Sequence, residues 1–479
     1  MVDPIDKKIL EIRENAKLYS KKQYFEVIDK EAMGPKSKEV LKKIIEYEGW
    51  TSCGWVLFDA PPVIDRGEGA ILWDVDGNRY IDLMAGFGVE SVGHANQIIL
   101  DAIIEQFKKS SHFAELPNEL RAKLAEEVSR LAPGPSKKKV HFTITGSDAV
   151  ENALKIARYY TGRPDILTFF GTYHGRSFGV ASATSFANVK YHFWPLTARF
   201  GVLHVPYAYC YRCMFGKEYP ECNLYCAKFV EELFTSTAYT LRWPEKSINN
   251  IAAILTEPTQ GAMGCIIPPR EWLSEIRKIA EKYDVLLVDD EVYGGWGRTG
   301  KWWACQHSNV DPDIVSASKT IGSGIPFSLV LTKEEIADSL PVNMVHSTMS
   351  GYHLGCAVAL ATIKIIKENN LVERSAKMGE YFLKGLKDLQ ASHEMVGHVD
   401  GLGLWLRIEL VKDRRSKEPA KEEAKILQKR CMKDGVLFMI EGYYGNVVKI
   451  HPPLVIEKEQ IDEAIQTIDK ELKYIEENI

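Results

Sequence analysis

The stretch "DIVSASKTIGSGIP", residues 313–326, places Lys319 directly after an apolar run that is typical of a buried strand. Glycines and other small residues follow the lysine. Burying an ammonium group costs free energy unless something nearby compensates, and most lysines avoid that cost by staying at the surface. The position of Lys319 therefore indicates a task that needs a buried amine.

Two further strand-like runs, "IAAILTEP" (251–258) and "VLLVDDEV" (285–292), share this layout. Each of the three runs ends in one ionisable residue, which is Glu257, Asp290 or Lys319. Helix-period and strand-like segments alternate along the chain, which is the pattern of a parallel sheet covered by helices. Ligands bind just outside the carboxyl ends of the strands in such sheets, so the three side chains are predicted to share one site.

A buried lysine beside a buried carboxylate is the combination that pyridoxal phosphate needs. The lysine amine forms a Schiff base with the cofactor aldehyde, and the carboxylate keeps the pyridine nitrogen protonated so that the ring accepts electrons. The turn "TGSDAVEN" (145–152) can supply a phosphate site, because Gly146 permits a close backbone approach and Ser147 precedes a helix predicted from about residue 149 to 160. Taken alone, the same turn is also typical of an ordinary helix cap.

The stretch "VDDEVYGGWGRTG" (288–300), followed by "PDIVSASKTIGSGIP" (312–326), closely resembles the signature of class III pyridoxal-phosphate aminotransferases of fold type I. "TYHGRSFG", "LTEPTQG", "HSTMSG" and "VVKIHPPLVI" occur in the order that this family uses. The resemblance implies an α/β fold whose large domain holds a mainly parallel, mixed sheet of seven strands sandwiched by helices. A smaller α+β domain is built from the N- and C-terminal segments.

The resemblance also implies a role for each matching residue. Lys319 is the catalytic Schiff-base lysine, and Asp290 is the catalytic partner of the pyridine nitrogen. The other implied cofactor contacts are Gly146 and Ser147 at the phosphate, Tyr173 and Val292 on the two faces of the ring, His174, Glu257, and Thr348, which reaches the phosphate of a neighbouring subunit. In isolation, Tyr173 is also typical of a core tyrosine, His174 of a satisfied buried histidine, and Glu257 of a carboxylate in a salt bridge.

The expected domain organisation follows the same family pattern. Residues 1–84 are predicted to contribute to the small domain, residues 85–335 to form the large cofactor-binding domain, and residues 336–479 to complete the small domain. Because the family assembles its active sites at a dimer interface, the resemblance implies a homodimer or a dimer of dimers. The implied partners are an amino donor and a keto acid acceptor, both small molecules.

Composition agrees with a small-molecule enzyme. The chain has 479 residues, of which 45% are hydrophobic and 26% charged, and its net charge of −5 gives no electrostatic reason to expect nucleic acid or an anionic membrane. The first residues, "MVDPIDKKILEIRENAKLYSKKQ", lack the apolar core of a signal peptide, and no run of 18 uncharged apolar residues follows. A cytoplasmic location is therefore expected.

Four of the nine cysteines cluster in "YCYRCMFGKEYPECNLYC" (209–226). Cys210 and Cys213 form a C-x2-C pair, and Cys222 and Cys226 a C-x3-C pair, which is close to the spacing of a small tetrathiolate zinc knuckle. Four thiolates would close the coordination sphere, so the role of such a metal would be structural. A loop held by thiol packing or by disulfides is the alternative.

Departures from the family pattern bear on the substrate. Relatives that use glutamate commonly carry "EPVQGEGG" and an arginine in the strand before "PPL", whereas this chain has Ala262 and Lys449 at the two positions. A lysine lacks the two-pronged geometry of a guanidinium. The sequence therefore predicts that a monocarboxylic keto acid such as pyruvate is a better acceptor than 2-oxoglutarate. Efficient use of 2-oxoglutarate would imply a carboxylate anchor elsewhere, with Arg407 or Arg270 as the next candidates. Tyr293 replaces a glutamine that often follows "DEV".

Three functions stay open at this point. The first is transamination, in which Lys319 carries a proton between the substrate and the cofactor. The second is racemisation or epimerisation of an amino acid on the same scaffold. The third is serine acyl transfer, because Ser316 and Lys319 form an S-x-x-K pair, although a "KTG" partner motif is missing.

Overall fold

The computed structural model describes residues 33–49, 54, 58, 60–114, 116–186, 201–236, 242–243 and 248–479. Within these ranges the strands are β1 (Ile64–Glu68), β2 (Ile71–Asp74), β3 (Arg79–Asp82), β4 (Lys138–Thr143), β5 (Asp165–Phe169), β6 (Val202–Val205), β7 (Arg242–Trp243), β8 (Ile248–Asn249), β9 (Ile251–Thr256), β10 (Leu286–Asp290), β11 (Ile314–Ala317), β12 (Ser328–Lys333), β13 (Val396–Leu402), β14 (Trp405–Leu410), β15 (Val436–Leu437), β16 (Met439–Glu441) and β17 (Val447–Ile450).

The helices of five or more residues in the same ranges are α1 (Pro35–Tyr47), α2 (Gln97–Lys109), α3 (Glu119–Leu131), α4 (Gly146–Thr161), α5 (Phe178–Ala183), α6 (Tyr225–Thr235), α7 (Arg270–Lys282), α8 (Glu334–Asp338), α9 (His353–Glu368), α10 (Leu371–Ser392), α11 (Lys421–Lys433) and α12 (Lys458–Asn478). A four-residue helix also occurs at Ala85–Gly88. Short 3-10 turns occur at Cys210–Arg212, Ala304–Ser308 and Lys319–Gly322. No helix in the described part of the chain is long and apolar enough to cross a membrane.

Seven strands form the central sheet, in the order β4-β12-β11-β10-β9-β5-β6. The strands from β11 to β6 run parallel, whereas β12 is antiparallel to both β11 and β4. Every side chain of β9 and of β11 is buried, as expected for strands that are covered on both faces. The predicted α/β fold with a mainly parallel, seven-stranded sheet is confirmed.

Helix α4 packs across this sheet and begins at Gly146, earlier than the predicted start near residue 149. Thr145 caps the helix, because its side chain accepts a hydrogen bond from the backbone N–H of Asp148. The buried face of the helix consists mainly of small and aliphatic residues: Ala149, Val150, Ala153, Leu154, Ile156 and Ala157. This close packing fixes the start of the helix beside the carboxyl ends of the central strands.

Two smaller four-stranded sheets stand beside the central one. The first has the order β1-β2-β3-β15, so the N-terminal strands are completed by Val436–Leu437 from near the C-terminus. The second has the order β13-β14-β17-β16 and comes entirely from the C-terminal part. Strands from both ends of the chain thus meet outside the central sheet.

The segment "GLGLWLRIEL" (401–410) contains a hairpin turn. Strand β13 ends at Leu402, Gly403 adopts a left-handed φ of 54°, and β14 starts at Trp405. Glycine is the residue that reverses the chain here at little steric cost. The hairpin places Arg407 directly opposite Lys449 of β17.

Candidate active site

Lys319 follows the carboxyl end of β11 and starts a 3-10 turn. Its φ of 52° is left-handed, a conformation that costs a residue with a side chain about 1 kcal/mol and that is found at functional sites. The side chain is partly buried, and Nζ lies 3.1 Å from the centroid of the Tyr293 ring. Burial, followed by the positive charge of Lys449, lowers the pKa of the Lys319 amine to about 7. A large share of the amine is therefore neutral and nucleophilic near neutral pH.

Asp290 lies at the carboxyl end of β10, the strand next to β11. One of its carboxylate oxygens is 2.6 Å from His174 Nδ1, and the other accepts the backbone N–H of Val292 at 3.1 Å. The second ring nitrogen of His174 lies 3.2 Å from the Thr168 hydroxyl. His174 is thus a satisfied buried histidine that also orients Asp290.

Glu257 follows β9 and is buried. Its two carboxylate oxygens accept backbone N–H groups, from Tyr173 at 2.9 Å and from Gly261 at 2.7 Å. These bonds hold the loop that carries Tyr173 against the strand end, in place of the salt bridge that was one interpretation of Glu257. Burial, only partly offset by His174, raises the pKa of the Glu257 carboxyl to about 7.

The start of α4 forms a close-fitting cradle for an anion. A Cβ on Gly146 would lie 2.8 Å from Cγ1 of Val292, and a Cβ on Gly175, whose φ is 134°, would lie 2.3 Å from Oγ of Ser147. Only glycine therefore fits at these two positions. The backbone N–H of Arg176 donates to Ser147 Oγ at 3.2 Å. Backbone amides at the start of a helix are suited to a phosphate group.

Tyr173 and Thr348 differ in their surroundings. Tyr173 is partly buried, its hydroxyl accepts a hydrogen bond from Arg176 Nε at 3.0 Å, and its ring meets that of Phe186 edge to face at 6.3 Å. Thr348 is exposed in the connection between α8 and α9. Within a single chain, Tyr173 is therefore connected to the strand ends through Glu257. Thr348 is exposed to solvent.

A second lysine, whose pairing the sequence did not reveal, completes the site. Lys449 is buried, its Nζ lies 4.4 Å from the centroid of the Tyr293 ring, and it forms a 2.8 Å ion pair with Glu441. His451 Nε2 lies 3.2 Å from the Tyr293 hydroxyl. Ala262 leaves the usual glutamate position without a charge, and Glu441 supplies a carboxylate from another strand. In the sequence, the strand-like residues around Glu441 were the signal that could have suggested the Lys449–Glu441 pair. They do not show which residue of the neighbouring strand Glu441 faces.

The two other arginine candidates differ in their surroundings. Arg407 is buried and hydrogen-bonds both Glu409 and the hydroxyl of Tyr209. Arg270 begins α7 and lines a surface groove together with His307. Arg407 therefore already has a carboxylate partner, and Arg270 faces the groove.

The serine acyl-transfer hypothesis is wrong. Ser316 lies in the middle of β11 and is fully buried, and its hydroxyl has no hydrogen-bond partner in the described part of the chain. A serine nucleophile needs a base within hydrogen-bond reach and access to substrate. Ser316 has neither.

The four clustered cysteines, Cys210, Cys213, Cys222 and Cys226, are free thiols that line one cavity of about 20 Å³. Burial, followed by the neighbouring thiols, raises the pKa of Cys210 to about 12. Among the described residues, the set of three possible metal ligands whose atoms all lie within 4.8 Å of one another is a different one, Asp289, Glu291 and Cys305. The thiols thus share a cavity, and the disulfide alternative is not what the structure has.

Known proteins share this architecture. A family model described as aminotransferase class-III matches residues 59–472. The chain is 35% identical over 421 residues to a leucine/methionine racemase of Thermococcus litoralis, which covers 87% of this chain and 92% of the racemase. It is 33% identical over 416 residues to a 5-aminovalerate aminotransferase of Pseudomonas aeruginosa, with 85% and 92% covered. The solved omega transaminase of Pseudomonas jessenii in complex with PMP matches with a TM-score of 0.81 at 30% identity, over 91% of this chain and 98% of that one.

Proposed function

The chain belongs to the class-III aminotransferases and is a pyridoxal-phosphate-dependent enzyme of that family; we propose that Lys319 holds the cofactor and moves the proton on which amino transfer depends. The observation that carries this proposal is the position of the Lys319 amine at one strand end with the Asp290–His174 pair at the next. Strand ends of this kind form the ligand site of an open parallel sheet.

Each group around Lys319 has a separate task in this proposal. Bound pyridoxal phosphate supplies an electron sink for the substrate carbanion. Asp290, oriented by His174, would keep a proton on the pyridine nitrogen. The first amides of α4 and Ser147 would hold the phosphate, while Val292 and Tyr173 would confine the ring. Lys319 would hold the cofactor through Nζ and, when its amine is free, would accept and return the substrate proton.

A half-reaction screen tests the function directly. The purified enzyme is incubated with single amines, without any keto acid, and the absorbance of the bound cofactor is followed. An amino donor is expected to convert the aldehyde form of the cofactor to its amine form in stoichiometric amount, because the amino group stays on the enzyme until an acceptor arrives. Failure of every amino acid and ω-amine to do so would contradict transamination.

We further propose that the acceptor is a monocarboxylic keto acid. Ala262 carries no charge, and Lys449 is already paired with Glu441. A second carboxylate in the substrate would have to displace Glu441 or remain unpaired, which should depress its use by about two orders of magnitude. Product formation from one donor with pyruvate and with 2-oxoglutarate measures the ratio. Efficient use of 2-oxoglutarate that survives Lys449→Ala would overturn this proposal.

Racemisation is the second candidate, favoured by the similarity to the leucine/methionine racemase. A racemase needs no acceptor, because the proton returns to the opposite face of the same carbon. The two functions separate when a single enantiomer is incubated alone in deuterated water. Appearance of the deuterated opposite enantiomer without keto acid identifies a racemase, whereas incorporation with retained configuration identifies a transaminase.

A homodimer is proposed because α2 presents an apolar surface. Leu100, Ile104 and Phe107 of that helix, together with Phe113 and Leu116, are large hydrophobic residues that are exposed in the single chain. Contiguous apolar exposure of this kind marks an interaction surface. A second copy of the chain on this surface is the proposed arrangement, and light scattering of the purified protein measures its mass.

We propose that the four clustered thiols bind a structural zinc ion. We also propose that the protein is cytoplasmic. The spacing of the cysteines supports the metal, which would have to draw their sulfur atoms closer together than they lie in the single chain, and free thiols suit a reducing compartment. Elemental analysis of protein purified without chelators is expected to find one zinc per chain, and none in Cys213→Ser. Metal-free wild-type protein with four titratable thiols in this cluster would overturn the proposal.

A further inference from the structure

Two lysine amines lie against one aromatic ring. Nζ of Lys319 is 3.1 Å and Nζ of Lys449 is 4.4 Å from the centroid of Tyr293, so the two nitrogens are at most 7.5 Å apart. Their ionic partners differ. Lys449 forms a direct ion pair with Glu441, whereas Lys319 has no ion pair among the described residues.

This asymmetry decides which of the two amines keeps its proton. A charged amine in a low-dielectric site needs a counter-charge, and two like charges at this distance repel each other. The proton therefore stays on Lys449, because the attraction of the Glu441 carboxylate outweighs the cost of burying the charge. Lys319 experiences the same repulsion but has no ion pair with a carboxylate among the described residues.

We propose that Lys449 is a positioning residue that, held charged by Glu441, keeps the neighbouring Lys319 amine neutral and ready to react. The inference rests on the proposed function, in which Lys319 must attack the cofactor aldehyde. In that step the neutral nitrogen forms a bond to the aldehyde carbon, and the aldehyde oxygen leaves as water with both amine protons. A protonated amine has no lone pair for this attack.

The remaining charged groups around Lys319 do not reverse the effect. Asp290 and Glu257 favour its protonated form, but Asp290 is bonded to His174, and Glu257 accepts two backbone N–H groups. Burial and the nearby cations lower the pKa of His451, so it stays neutral. The charged and titratable groups around the two amines are Asp290, Glu257, Glu441, Tyr293, His451 and Cys265. After burial, the Lys449 ammonium has the largest influence on the Lys319 amine.

The test measures the proton affinity of Lys319 rather than turnover. Full-length protein freed of cofactor is mixed with pyridoxal phosphate between pH 5.5 and 10, and the rate of covalent capture is followed by absorbance. Borohydride reduction and peptide mass spectrometry verify that Lys319 is the residue modified. The pH midpoint of the capture rate reports the fraction of neutral Lys319 amine.

Removing the charge in Lys449→Met should raise this midpoint by about 1.5 pH units, the value for one like charge at 7.5 Å and an effective dielectric of about 20. Lys449→Arg keeps the charge and should leave the midpoint within about 0.3 units. Lys412→Met removes an exposed lysine that lies two residues beyond the end of β14, so it is the control and should not move the midpoint. Isotopic acetylation of Lys319 across the same pH range gives a second measure that needs no cofactor.

The outcomes separate the inference from the function on which it rests. An unchanged midpoint in Lys449→Met, or an equal rise in Lys449→Arg, would overturn the role of the Lys449 charge. Absence of capture at Lys319 in the wild-type protein would instead overturn the proposed function. If Lys449→Met does not fold, Lys449→Gln replaces it with the same expected rise.

Discussion

Asp290 and His174 show how a single contact gives two side chains a joint task. The 2.6 Å bond between them fixes one carboxylate oxygen, and the N–H of Val292 fixes the other, so Asp290 cannot rotate away from the site. A preoriented charge of this kind stabilises developing charge without reorganisation during the reaction. The orientation of Asp290 therefore depends on His174, which does not need to contact the substrate.

Replacing Lys319 should affect the covalent attachment of the cofactor, whereas replacing Asp290 should affect electron withdrawal by the cofactor ring. Lys319→Ala should abolish turnover and leave any cofactor bound without a covalent link, because it removes the amine. Asp290→Asn should keep the link but slow the reaction by roughly 100-fold, or about 3 kcal/mol in the barrier. Single-turnover kinetics and mass spectrometry after borohydride reduction measure both effects. Near wild-type activity in either variant would contradict the assignment.

A pair of buried acids on the opposite face of β10 should make stability depend on pH. Asp289 and Glu291 are fully buried, and both oxygens of Asp289 lack hydrogen-bond partners among the described residues. Burial raises the pKa of Glu291 to about 7, and raises that of Asp289 as well. A raised folded-state pKa gives stability that is fully present below the unfolded pKa and is lost as pH rises through the folded pKa.

The free energy of unfolding should therefore fall between about pH 4.5 and 7 because of this pair. Asp289→Asn removes one acid without changing its shape, so it should flatten the decline and make the protein more stable than the wild type at pH 8. Urea denaturation at pH 5, 6.5 and 8 measures the difference. Glu275→Gln, an exposed acid on α7, is the control. Equal pH dependence in Asp289→Asn and wild type would show that the pair does not titrate.

At the scale of elements, strand ends were predictable and strand registers were not. Glu257, Asp290 and Lys319 each end an apolar run, so the parallel-sheet pattern was enough to bring them together. Lys449 and Glu441 meet only because β16 and β17 form a hairpin in which Glu441 pairs with Val447, leaving it diagonal to Lys449. The strand-like pattern alone does not show which residues face each other, and a shift by one residue would turn Glu441 to the other face of the sheet.

The start of α4 allows a direct test of the phosphate cradle. Gly146→Ala places a Cβ 2.8 Å from Val292 Cγ1, which should displace the helix start and weaken cofactor binding about tenfold or more. Fluorescence titration of cofactor-free protein with pyridoxal phosphate measures the affinity. Gly49→Ala is the control, because its Cβ would meet no atom of the described residues within 4 Å. Unchanged affinity in Gly146→Ala would place the phosphate elsewhere.

At the scale of the whole molecule, assembly decides whether Thr348 takes part in the site. It is exposed in the single chain, which agrees with a role across a dimer interface. Thr348→Ala should weaken cofactor retention, and mixing it with Lys319→Ala should restore a fraction of active sites in hybrid dimers. Activity of isolated hybrids carrying different affinity tags is the measurement. Verified hybrids without recovered activity would remove Thr348 from the neighbour's site.

The sheet that joins the two ends of the chain has a consequence for biosynthesis. Ile81 of β3 pairs with Val436 of β15, so the N-terminal strands acquire their last neighbour only when nearly all of the polypeptide has left the ribosome. Contacts between residues so distant in sequence form slowly, because the long intervening loop must close first. During translation, β3 keeps an unpaired edge, which is the feature that chaperones and aggregation both exploit. Nascent chains that stop before residue 436 should therefore depend on chaperones far more than the finished enzyme does.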